Sequence, residues 1–124
     1  MVMGCYFADM KHMRKLTEKP KFRSRFFSPQ EIKFLMSKNF SPYIMGEMFC
    51  GKVAFVKALG AGFHGCAMTE VSVLADYSGS YYLSLSGNAK KRLAGLRMQA
   101  IVSCARNKAL VSANVLLIDQ NKQS

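Results

Sequence analysis

The chain has 124 residues, half of them hydrophobic, and carries 18 Lys and Arg against 7 Asp and Glu, a formal charge of +11. That length suits one hydrophobic core without a second domain, and the apolar share excludes a disordered chain. No apolar run approaches the roughly 20 residues that cross a bilayer, which leaves no membrane span, and the charge excess calls for an anionic partner: nucleic acid, a membrane surface, a phosphorylated small molecule or an acidic protein.

Met1 to Ala8 is a short apolar run that reads as a buried strand, with Asp9 at its end. Its apolar stretch precedes its charges and shows no small-residue cleavage site, so a cytoplasmic location is expected. Met10, Met13 and Leu16 recur every three residues among basic side chains, predicting one or two amphipathic helical turns closed by Lys19-Pro20. Residues 1 to 40 hold nine basic side chains and three acids (Asp9, Glu18, Glu31), a basic first third suited to something acidic.

Ser28, Pro29 and Glu31 supply the cap, first helical position and capping-box glutamate of the next helix. Ser41 and Pro42 repeat the device for a longer helix that stops at Gly60. On it, Met45, Phe49, Val53 and Val56 fall on one face, so Val53 reads as a core valine. "MTEVSVLADYSGSYYLSLSG" predicts a hairpin turning at Ser78-Gly79, and "NAKKRLAGLRM" a short basic helix. "QAIVSCA" and "LVSANVLLID" predict two strands joined by a polar turn around Arg106-Asn107-Lys108, and "QNKQS" a loose tail. The expected fold is α+β, a small antiparallel sheet packed with helices, in one domain over residues 1–119 with a tail at 120–124. Cys5, Cys50, Cys66 and Cys104 lack CxxC spacing and read as buried small hydrophobes, not as a zinc site or disulfide framework.

The glycine turn "ALGAGF" matches neither a Walker motif nor a dinucleotide fingerprint. It is either a helix cap or, with Lys52 and Lys57 flanking it, an anion site in which basic side chains stand beside open backbone N–H groups.

Five segments in order, "FSPQEIKFL", "FCGKVAFVKALGAGF", "TEVSV", "YSGSYYLSLSGNA" and "VSCARNKALVSANVLLI", resemble the holo-acyl carrier protein synthases, small phosphopantetheinyl transferases. The most specific stretch is K-x-A-F-x-K-A-L-G-x-G-F, where the family reads K-E-A-F-x-K-A-L-G-T-G. The resemblance implies transfer of the phosphopantetheine arm of coenzyme A to a serine of acyl carrier protein. It implies a magnesium ion bridging the diphosphate, in a site between neighbouring subunits of a homotrimer. By that resemblance Asp9 is the strand-end metal ligand and catalytic carboxylate, and Lys52 the catalytic-motif lysine. Lys57, Gly60 and Gly62 approach the coenzyme A phosphates, and Lys15 and Arg25 grip the acidic carrier protein.

Several positions depart from the family. Val53 stands at the metal-binding glutamate, Met48 at the arginine one turn earlier, Arg106 at the histidine of the C-terminal segment, and "CYFAD" at the glycines of the first strand. A valine neither ligates magnesium nor takes a proton, so weakened activity is expected, with Asp9 as the remaining metal ligand and Arg106 facing the cofactor. Glu47 is a poor substitute, because six residues turn it roughly 240 degrees around the helix from Val53. Glu70 reads as an exposed strand residue. Two other functions stay open: a non-catalytic relative that keeps coenzyme A or carrier-protein binding, and a small basic nucleic-acid-binding domain without a recognised motif.

Overall fold

The computed structural model describes residues 1–60 and 65–120, so Gly62 and tail residues 121–124 lie outside the described residues. In chain order the elements are β1 (Val2–Asp9), α1 (Met10–Thr17), α2 (Pro20–Phe26), α3 (Pro29–Ser37), α4 (Pro42–Leu59), β2 (Val71–Ala75), β3 (Tyr81–Leu85), α5 (Gly87–Gly95), β4 (Met98–Arg106) and β5 (Leu110–Asp119). A 3-10 turn, Met68–Glu70, leads into β2. The first tail residue, Gln120, is tied down by its N–H to the Arg97 carbonyl, 3.1 Å away.

Both proline-led caps form. Ser28 Oγ accepts from Glu31 N while the Glu31 carboxylate accepts from Ser28 N, and Ser41 Oγ accepts from Ile44 N. Lys19-Pro20 ends α1 as expected, yet Pro20 also starts a helix that the sequence pattern did not suggest. Its fixed φ and missing donor cost nothing at a first helical position. Phe22 docks α2, its ring centroid 5.1 Å from Phe26, 5.7 Å from Phe27 and 5.4 Å from Phe49 of α4.

The expected antiparallel sheet is split in two. β5 lies between β1 and β4, and β2 pairs with β3 in a sheet of two strands among the described residues. Central to both is α4, which packs against β1, β2, β4 and β5 and is buried on nearly every face, because its sequence is apolar all round. β1 reaches it closely at Gly4, where a Cβ would lie 2.2 Å from the Ala54 carbonyl oxygen. Gly60 ends the helix in the left-handed conformation, φ 76°.

In the three-stranded sheet, Gly4, Val102, Val111, Ala113, Val115 and Leu117 turn inward to α4. The opposite face is open: Met3, Phe7 and Ile101 are half or more exposed, and register sets Met3, Leu116 and Ile101 in one row across the strands. The cysteines follow this layering, so Cys50 and Cys66 are buried, Cys104 is half-buried, and Cys5, on the open face, is exposed, contrary to expectation.

Candidate functional site

Asp9 closes β1 and caps α1. Its Oδ1 accepts from Lys11 N at 2.7 Å, and its other oxygen has no protein partner among the described residues. Strand alternation turns Tyr6 and Ala8 toward α4 and leaves Phe7 and Asp9 exposed. Asp9 pairs with Leu110, and Arg106 with Val111, so both stand at the same end of the sheet, on either side of β5. Arg106 is exposed and borders a cleft of about 430 Å³ shared with Glu47, Tyr81, Ser103 and Cys104.

Lys57 and Gly60 lie toward the other end of α4. Lys57 is exposed, its Nζ 4.9 Å from the centroid of the Tyr6 ring. A Cβ at Gly60 would meet nothing within 4 Å, so the backbone there is open to a ligand. Asp9 follows Tyr6 by three residues, roughly 10 Å of strand, and turns to the opposite face of β1, so the carboxylate and the lysine-and-glycine corner are well separated. Lys15 and Arg25 are exposed on α1 and α2, and neither has a carboxylate partner among the described residues.

Lys52 lies elsewhere. It is wholly buried, ion-paired with Glu31, and its Nζ donates to the carbonyls of Met68 at 2.8 Å and Val71 at 2.6 Å. Phe27 lies 5.3 Å from the ammonium. Glu31 also accepts from Ser28 N and Val73 N, both at 2.9 Å. Burial pushes the Glu31 pKa up and the Lys52 pKa down, each opposed by the partner's charge. Geometry therefore makes Lys52 a brace joining α3, α4, the 3-10 turn and β2, not a group that touches substrate: no face of it reaches solvent. Val53 is 4% exposed and Met48 fully buried, so two positions where the resemblance expects charge belong to the core.

Three features have no local signal in the sequence. The capping box announces Glu31 as a cap but not as the partner of a buried lysine. Arg14 and Arg106 both lie against the ring of Tyr43, each guanidinium carbon 5.5 Å from its centroid. Glu47, which the helix turns away from Val53, is buried beside the cleft and accepts from the Tyr81 hydroxyl at 3.0 Å. Burial, then Glu47, pushes the Cys50 and Cys104 thiols up to about 12, which keeps both protonated and unreactive near neutral pH. Glu70 is half-buried at the end of the 3-10 turn, not exposed on a strand, and accepts from Ala67 N at 2.7 Å and Asn88 N at 2.6 Å.

Among the described residues no three His, Cys, Asp or Glu side chains gather as a metal-binding group. Asp9 offers one oxygen beyond its helix cap, and the residue expected beside it is a buried valine. This donor set does not fit a resident magnesium ion.

The 4'-phosphopantetheinyl transferase superfamily matches residues 8–110. The chain belongs to that superfamily, among the holo-acyl carrier protein synthases. The holo-acyl carrier protein synthase of Lachnoclostridium phytofermentans is 32% identical over 115 residues, covering 92% of both chains. The synthase of Neisseria meningitidis shares the fold at TM-score 0.85 and 20% identity, over 94% of this chain and 98% of that one. The Helicobacter pylori synthase, solved in complex with coenzyme A, superposes at TM-score 0.79 and 21% identity, over 93% and 98%. The synthase fold is thus the α+β arrangement described above, and no helix among the described residues is long and apolar enough to cross a membrane.

Proposed function

We propose that the protein transfers phosphopantetheine from coenzyme A to a serine of an acyl carrier protein. One observation carries this for the chain itself: Asp9, whose second carboxylate oxygen has no protein partner among the described residues, and Arg106 end the two strands that flank β5, at the same end of a synthase fold. In the transfer the serine oxygen attacks the phosphorus that carries the pantetheine arm. The bond to the other phosphate breaks, and 3',5'-ADP leaves with the electron pair. Asp9 takes the serine proton, and Arg106 offsets charge on the diphosphate. Lys57 and the open Gly60 backbone suit another part of the same long ligand.

The residues do not fit a resident magnesium, so no step passes through one. Lys15 and Arg25, exposed and without carboxylate partners among the described residues, suit the acidic surface of a carrier protein. The row of Met3, Leu116 and Ile101 on the open sheet face supports a homotrimer, in which that face is covered by copies of the chain. We place the protein in the cytoplasm, where coenzyme A and carrier proteins meet. Mass spectrometry of apo carrier protein incubated with coenzyme A and the enzyme tests the reading. A phosphopantetheine mass gain supports it; binding of coenzyme A without any gain would leave a non-catalytic relative.

A further inference from the structure

At the same end of the sheet, Tyr43 in the first turn of α4 gathers two arginines from distant parts of the chain. Arg14, on α1, donates from Nη2 to the Tyr43 hydroxyl at 3.0 Å, and its guanidinium carbon lies 5.5 Å from the ring centroid. Arg106, at the end of β4, lies 5.5 Å from the same centroid. The hydroxyl in turn donates to the Lys108 carbonyl at 3.3 Å, which fixes the ring against the β4–β5 turn. Tyr43, Arg106, Asn107 and Lys108 line a cleft of about 280 Å³.

Like charges brought onto one ring repel, and proteins normally relieve this with a carboxylate. Here neither guanidinium has one within ion-pair distance among the described residues. The aromatic ring holds the arginines in place without neutralising them, leaving planar donors free for an external anion. Arginine matches phosphate oxygens with paired hydrogen bonds, and two of them supply about the charge that one divalent cation would. Asp9, with one oxygen engaged in its helix cap, does not hold such a cation.

We propose that Arg14 and Arg106, held on Tyr43, form a phosphate subsite that meets the anionic charge of the ligand in place of a protein-bound metal. This rests on the coenzyme A reading for the ligand's identity, and the chemistry it needs is a phosphate ester or diphosphate.

Calorimetric titration of the full chain with coenzyme A, dephospho-coenzyme A and inorganic pyrophosphate, in chelator and then in magnesium, tests it. Wild type should bind coenzyme A in chelator, with less than about a threefold change on adding magnesium. Arg14→Gln and Arg106→Gln should each weaken binding about tenfold, the scale of one charged hydrogen bond. Arg14→Lys and Arg106→Lys should fall between, since they keep the charge and lose the stacking. Equal losses for coenzyme A and its dephospho form place the diphosphate in the subsite, as the proposal requires; a loss confined to coenzyme A places the 3'-phosphate there and overturns the exchange of arginines for a metal. Both arginines are exposed, so the variants should unfold at the wild-type temperature.

The subsite is overturned if wild type binds coenzyme A and neither glutamine variant weakens it, or if chelator abolishes that binding. It is also overturned if Arg14→Gln impairs only carrier-protein binding. Pyrophosphate binding that needs both arginines, without coenzyme A binding, keeps the subsite and removes the coenzyme A reading. No binding of any probe removes both.

Discussion

Replacing Lys52 with methionine separates a structural brace from a catalytic group. Methionine fills similar space but removes the ion pair with Glu31 and two hydrogen bonds, at 2.8 and 2.6 Å, to the Met68 and Val71 carbonyls. Glu31 then stays fully buried with only the Ser28 and Val73 N–H groups to support its charge. Breaking a buried pair in this way costs about 3–5 kcal/mol, a large part of the roughly 5–15 kcal/mol that holds a domain folded. With a urea slope of about 2 kcal/mol per molar, the unfolding midpoint should fall by roughly 2 M. Burial already raises the Glu31 pKa, and loss of the ammonium raises it further. A carboxyl whose folded pKa exceeds its unfolded one destabilises most above the folded value, and the penalty fades as pH falls through it. Lys52→Met should therefore lose less stability at pH 5 than at pH 8, and adding Glu31→Gln should recover about 1–2 kcal/mol. Urea titration at fixed protein concentration reads all three. An unchanged midpoint, with transfer activity abolished, would refute the brace and return Lys52 to the reacting groups.

Gly4→Ala should destabilise by about 2 kcal/mol or more, because its Cβ would meet the Ala54 backbone oxygen, while Gly60→Ala should cost about 1 kcal/mol through backbone strain alone; chemical unfolding compares them. Val53→Glu buries a carboxylate in the core and should lower the melting temperature. Millimolar magnesium should restore part of that loss and leave wild type unmoved; a magnesium-stabilised wild type would show that Asp9 suffices to hold the ion. Ile101→Lys places a charge in the exposed apolar row and should convert a trimer to monomers in sedimentation, whereas a monomeric wild type would remove the trimer from the account.

Local chemistry was legible where its cause is local. Ser28-Pro29 and Ser41-Pro42 announce helix starts, Gly60 a stop, and an apolar run ending in Asp9 a strand that delivers a carboxylate to its end. Pro20 shows the limit: the residue that ends one helix opens another, and only the Phe22 contacts with α4 decide that the second forms. Lys52 precedes the glycines, which in the sequence alone places it at a phosphate corner. Its partner lies 21 residues upstream in a glutamate already explained as a cap. The Arg14–Tyr43–Arg106 cluster joins α1, α4 and the end of β4, separations that no spacing rule spans.

The most direct measurement is a single-turnover reaction with enzyme in excess, following label from the pantetheine arm of coenzyme A into apo carrier protein. Stoichiometric labelling of one serine is expected, lost when that serine is replaced by alanine and strongly slowed by Asp9→Asn. Absence of label from a folded, coenzyme A-bound enzyme, or transfer indifferent to Asp9→Asn, would contradict it.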